Sequence, residues 1–181
     1  MKTCSDFEES SSGGDILNLE QRVIYIYQEI QDDMAIEFSK AMSELKKTPF
    51  DIEIKINSPG GELYSTISII SEIKNCPNFV TTNITAMAYS GASMIALSGD
   101  LRKAFKHSSI MYHEMFISAA DSANKLKTNV KKQEQLFYKL MEDLLRNTSI
   151  SKKEFSKLIQ DTDWYLSPSE ALKYNLIMEI Y

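Results

Sequence analysis

"FVTTNITAMAYSGASMIALSG", residues 79–99, opens as a β-branched run, closes as a run of small and apolar helix formers, and sets Ser90 at the seam. A strand that passes straight into a short helix over Gly91 to Leu97 is the unit from which α/β folds are assembled. The flanking sequence repeats it. Upstream, "DIEIKIN" (51–57) alternates Ile52, Ile54 and Ile56 with Glu53 and Lys55, a strand with one buried face. "NSPGG" (57–61) must turn, and Leu63, Ile67 and Ile70 then mark a helix that "NCPN" (75–78) ends. Further upstream, "RVIYIYQEI" (22–30) reads as a strand. After it Asp32 offers an N-cap, and Met34, Phe38, Ala41, Met42 and Leu45 recur at helical spacing as far as "KKTP".

Downstream, "KAFK" (103–106) and "SIMYHE" (109–114) are short strands, and residues 122–146 form a long Lys/Glu/Leu helix. "SKKE" (151–154) and "SPSE" (167–170) are both Ser-x-x-Glu capping boxes, the second with Pro168 at the first helical position. The alternation of strands and helices, without an internal repeat, predicts an α/β domain with a largely parallel sheet.

The 181 residues suit one domain with a substantial core. Residues 1–18 are rich in Ser, Gly and acid and predict a flexible N-terminal arm, which leaves residues 19–181 as the single domain. A net charge of -5 with no strong basic cluster argues against nucleic acid. Cys4 and Cys76 make neither a metal-ligand spacing nor a disulfide framework. The polar start is unlike a signal peptide, and no apolar run reaches the roughly 18 residues of a membrane span. A cytoplasmic protein with no membrane partner is the expectation.

Several residues could carry chemistry. Ser90 is either an N-cap or a nucleophile, and Gly91 and Ala92 leave room beside it at a helix N-terminus where negative charge is stabilised. "AYSGA" is not the G-x-S-x-G elbow. His113 lies on a half-buried strand face with Met111, the position of a structural histidine or of a general base. His107 reads as a solvated loop residue. Asp163 and Asp161 in "QDTDWYLS" are each able to orient an imidazole, and spacing does not choose between them. Gly61 either completes a tight turn or aims an N–H at an oxyanion together with Gly91.

Taken together, "INSPGG", "AMAYSGAS", "IMYH" and "DTDWYLSPSEALKYNLI" resemble, in order and interval, the ClpP family, the proteolytic subunit of the caseinolytic Clp protease. The resemblance runs from about Arg22 to Tyr181. It implies a ClpP/crotonase-like spiral of ββα units with a projecting handle helix. It implies a serine endopeptidase with catalytic Ser90, His113 and Asp163, the aspartate that precedes an aromatic-Leu-Ser sequence, and with an oxyanion hole of Gly61 and Gly91. No metal or cofactor enters this chemistry. The partners implied are further copies of the chain, in a heptameric ring or a stacked pair of rings around a chamber, and an AAA+ unfoldase.

Two departures mark a divergent relative, of a kind that a phage genome would carry. After His113 the family is glycine-rich, whereas this chain has "EMFISAADS". Glu53 and Lys55 replace outward aromatics that receive an ATPase loop. Burying unpaired charge under an apolar loop costs several kcal/mol, so these residues speak against an ordinary Clp ATPase. Two other functions fit the same residues: a ring-forming paralogue impaired in catalysis, and a crotonase-type acyl-CoA enzyme with the same pair of backbone donors.

Overall fold

In the computed structural model, which describes residues 16–115 and 123–181, the strand at Ile52–Ser58 (β3) shows the burial expected of its alternation. Ile52, Ile54 and Ile56 are buried, with Glu53 and Lys55 half-buried on the other face. β3 pairs in parallel with Val23–Ile26 (β2) on one side and with Val80–Tyr89 (β4) on the other. The helices Asp32–Leu45 (α1) and Leu63–Lys74 (α2) follow β2 and β3 and bring Phe38, Met42, Ile69 and Ile70 into the core with these isoleucines. Each such side chain contributes about 1.5–3 kcal/mol by leaving water. The parallel array continues through Leu101–Ala104 (β5) to Glu179–Ile180 (β8). A mixed α/β fold on a largely parallel sheet is the result.

β4 changes neighbours along its length. Residues 81–84 pair with β5, and residues 87–89 pair with Ser109–Tyr112 (β6). Against β3 the register shifts between Ile56↔Ile84 and Ser58↔Ala88, so β4 carries extra residues at the bend. A bulge of this kind re-aims the end of a strand. The end of β4 keeps its pairing to β3 at Ser58↔Ala88, exchanges β5 for β6 and leads into the helix Gly91–Ala96 (α3), while β6 pairs antiparallel with Trp164–Leu166 (β7). The long helix Ala123–Leu144 (α4) buries Phe137, Met141 and Leu144 from its C-terminal half, and Lys152–Ile159 (α5) packs Phe155 against the aromatic pair Tyr112 and Trp164.

Some expectations need correction. Ile16 is buried, and Leu17–Asn18 (β1) pair antiparallel with β2, so the arm expected over 1–18 does not include its last three residues. Residues 1–15 lie outside the described residues, as does the segment 116–122 that follows the histidine. Asp32 is the first residue of α1 rather than its cap, and its carboxylate accepts from the Ser65 hydroxyl at 2.7 Å. On α2 the buried face is Ser65, Thr66, Ile69, Ile70 and Ile73, with Leu63 and Ile67 only half-buried. Ser167 forms the complete capping box of Pro168–Lys173 (α6). Ser151 caps α5 only through the Glu154 N–H.

Candidate active site

The turn 59–61 lies against the start of α3. Gly60 adopts φ +95°, and a Cβ there would meet the Tyr89 carbonyl oxygen at 2.5 Å and Ser90 Cβ at 2.8 Å. Only glycine meets both demands. Gly61 bridges to Ile30, whose N–H donates to Gly60 and whose carbonyl accepts from Glu62, each at 2.8 Å. A side chain at 61 would collide with the Ile30 main chain. In this arrangement the Gly61 N–H has no acceptor among the described residues, and neither has the Gly91 N–H at the first turn of α3.

Ser90 occupies φ 52°, ψ -122°, a conformation costly for a residue with a side chain. The main chain holds it there. Its N–H donates to the Met111 carbonyl at 2.9 Å, and its carbonyl accepts from the Ser93 and Met94 N–H groups and the Ser93 hydroxyl. Although it stands at the N-cap position, its hydroxyl makes no capping bond. A serine that pays backbone strain without capping the helix keeps its Oγ for something else.

His113 follows the last residue of β6 and is half-buried. It shares with Ser90, Gly61 and Gly91 a cavity of about 690 Å³. Leu63, Met94, Met115 and Phe137 supply apolar walls, and Glu29, Glu62 and Glu114 line the same cleft, with no Lys or Arg among the described residues of the lining. Tyr112, immediately before the histidine, is fully enclosed between Phe155 and Trp164, with its hydroxyl toward the Ser93 carbonyl at 3.4 Å. Burial pushes its phenol well above the ordinary tyrosine range. These rings clamp β6 to β7.

Asp163 is exposed and precedes β7. The antiparallel register pairs Tyr112 with Trp164, and its continuation by one residue sets His113 opposite Asp163. Asp163 is nevertheless outside the cavity lining, and among the described residues no hydrogen bond joins Ser90, His113 and Asp163. Asp161, with φ 58°, donates its N–H to the Glu114 carboxylate at 3.4 Å, which ties the 161–163 turn to the residue after the histidine. His107 is exposed, against the ring of Phe105.

Sequence reasoning passes over Thr66, and strand alternation points Glu114 away from His113, whereas in the structure both Glu114 and His113 line the cleft. Thr66 is buried at the cavity, three residues from Leu63 and from Ile69, a helical spacing that is the only local sign of its direction. Glu114 leaves no such sign, because its partner lies 47 residues away.

The Clp protease family model matches residues 11–181. The chain is 28% identical to the ATP-dependent Clp protease proteolytic subunit of Deinococcus radiodurans, over 90% of this chain and 81% of the relative. It is 31% identical to ATP-dependent Clp protease proteolytic subunit 1 of Prochlorococcus marinus strain MIT 9312, over 88% and 83%. Against the Clp protease proteolytic subunit of Bacteroides fragilis it is 28% identical, over 88% and 78%.

Proposed function

The chain belongs to the Clp protease family, and from that premise we propose that it is a cytoplasmic serine endopeptidase acting on unfolded polypeptides. The observation that carries the reading is Ser90: strained, uncapped, and in one cavity with His113 and the two acceptor-free N–H groups of Gly61 and Gly91. Ser90 Oγ attacks the peptide carbonyl carbon and gives its proton to His113, while the carbonyl oxygen becomes an oxyanion held by the two N–H groups. Collapse of the tetrahedral intermediate breaks the C–N bond, and His113 returns the proton to the leaving amine. Water then repeats the sequence on the acyl-enzyme. Asp163 orients His113 and stabilises its charged form.

The chain works as a homo-oligomeric ring, heptameric in the family reading, whose interior confines the substrate. Assembly aligns the 161–163 turn with the histidine. On the outward face, Asn83 donates to Glu53 at 2.8 Å, Lys55 lies 3.8 Å from the same carboxylate, and the Lys55 ammonium stands over the Tyr25 ring. These charges are already partnered, so an apolar ATPase loop would have to break the pairs to dock.

A fluorophosphonate probe tests the chemistry. Ser90 is expected to be labelled, with Ser90→Ala abolishing both labelling and digestion of an unstructured protein. A Ser90→Ala variant that digests it as fast as the parent sinks the assignment.

A further inference from the structure

Three carboxylates stand one residue away from the groups that would carry the reaction. Glu62 follows Gly61, Glu114 follows His113, and Glu29 precedes Ile30, whose main chain brackets Gly61. All three line the cavity that holds Ser90, and none is in an ion pair among the described residues. Glu29 accepts from the Gln31 side chain at 3.1 Å and Glu114 from the Asp161 N–H, but neither donor carries a charge. The Glu62 carboxylate has no hydrogen-bond partner among the described residues. The three are exposed, so a cation that meets them keeps much of its hydration. Of the apolar residues in the same lining, Met94 and Phe137 are buried and Leu63 and Met115 half-buried. The cavity thus grades from buried hydrocarbon to exposed carboxylate.

We propose that this cleft selects a basic residue, Lys or Arg, on the acyl side of the scissile bond, with Glu29, Glu62 and Glu114 as its specificity-determining residues. The inference rests on the peptidase reading above. The acyl-side residue is the one whose carbonyl carbon becomes bonded to Ser90 Oγ, so its side chain is the one held nearest the cavity that Ser90 lines. Lys and Arg are built in the same order as that cavity: a methylene stem that packs on hydrocarbon, and a charged head that stays in water. Against Met94 and Phe137 the stem leaves water, while the head reaches carboxylates that no Lys or Arg of the described lining neutralises. An acidic head meets like charge instead. An unbranched hydrocarbon of similar length gains the walls and lacks the attraction. A cleft lined by one sign of charge also raises the local concentration of substrate of the opposite sign.

The test is the initial rate of cleavage, by the full chain as it assembles, of peptides that differ only at the acyl-side residue: Lys, Met or Glu. The parent is expected to favour Lys over Met and to cleave the Glu peptide slowest. A triple variant with Glu29→Gln, Glu62→Gln and Glu114→Gln should lower the Lys-to-Met ratio of kcat/KM at least about 5-fold, the scale of several exposed ion pairs withdrawn together. Glutamine keeps the size and, at 114, the acceptor for the Asp161 N–H. Raising the salt from about 0.05 M to about 0.5 M should shrink the ratio in the parent and leave that of the triple variant unchanged, because screening acts on charge and not on packing. Where the triple variant fails to fold, the salt dependence of the parent decides. Ser90-dependent cleavage that favours Met or Glu, or a Lys preference that survives either the substitutions or the salt, overturns the assignment of the three carboxylates and leaves the peptidase intact. Absence of Ser90-dependent cleavage of every peptide overturns the peptidase reading, and the assignment with it.

Discussion

The backbone N–H of Ser90 donates to the carbonyl of Met111 across 2.9 Å, which fastens the turn after β4 to the strand that ends one residue before His113. Placement of the serine is thus a main-chain matter, continuous with the β4–β6 ladder, and does not depend on the hydroxyl. Its cost is a backbone at φ 52°, ψ -122°, a region where glycine alone is comfortable. Ser90→Gly is accordingly expected to raise unfolding stability by about 1–2 kcal/mol over Ser90→Ala, while both variants lose hydrolysis. Denaturant titration of the two variants checks this. Equal midpoints would show that the turn carries no strain that glycine relieves.

Gly60 guards the same turn from the opposite side. Its φ of +95° and the closeness of the Tyr89 oxygen and Ser90 Cβ allow no side chain without displacing one of them. Gly60→Ala should push the serine and the Gly61 N–H apart. Loss of one oxyanion donor alone typically costs about 10²- to 10³-fold. The expected result is a drop in kcat of at least about 10²-fold in a protein that remains folded by circular dichroism. Activity within about threefold of the parent would remove the turn from the catalytic geometry.

The period-2 pattern of Ile52, Ile54 and Ile56 was readable because each of these side chains is large, apolar and fully buried, so burial and hydrophobicity coincide. On α2 they part company. Ser65 and Thr66 are small polar residues buried at a close contact with α1 and α3, and they turn the buried face away from Ile67. Ile16 is illegible for the converse reason, since a polar Ser/Gly neighbourhood hides an apolar residue that packs against the core. At the site, Ser90 and the Gly60–Gly61 turn are local events and could be read from residues in a row. The approach of residue 163 to residue 113 is a matter of strand register across about fifty residues, and no spacing rule reports it.

Glu72 offers a pH-dependent test of the α1–α2 contact. Its carboxyl is held below the usual range chiefly by the hydrogen bond from the Lys46 ammonium at 2.6 Å, opposed by burial and aided by the Ser39 hydroxyl. A folded-state value lowered from the ordinary 4.5 means that the stabilisation is complete above that pH and fades as pH falls through the lower folded value. Glu72→Gln should therefore cost about 0.5–1 kcal/mol at pH 7 and almost nothing near pH 2, in keeping with a half-buried pair that solvent still screens. Urea titrations of parent and variant at the two pH values measure the difference. A cost that does not depend on pH would assign the loss to packing.

Asp161 and Asp163 are both exposed and two residues apart, yet their backbones prepare them for different work. Asp161 is at φ 58°, where Asp and Asn are tolerated equally, and its N–H is engaged by Glu114. Asp161→Asn should thus keep the turn and leave hydrolysis within about threefold of the parent. Asp163 precedes the β7 residue paired with Tyr112, so continuation of that register by one residue makes it the facing neighbour of His113. Asp163→Asn retains the size and removes the charge that orients an imidazole, and losses near 10⁴-fold accompany that change in serine peptidases with this triad. The reverse ranking in the same assay, with Asp161→Asn the more damaging, would transfer the role to Asp161 and require the 161–163 turn to rotate about the strand rather than simply close upon it.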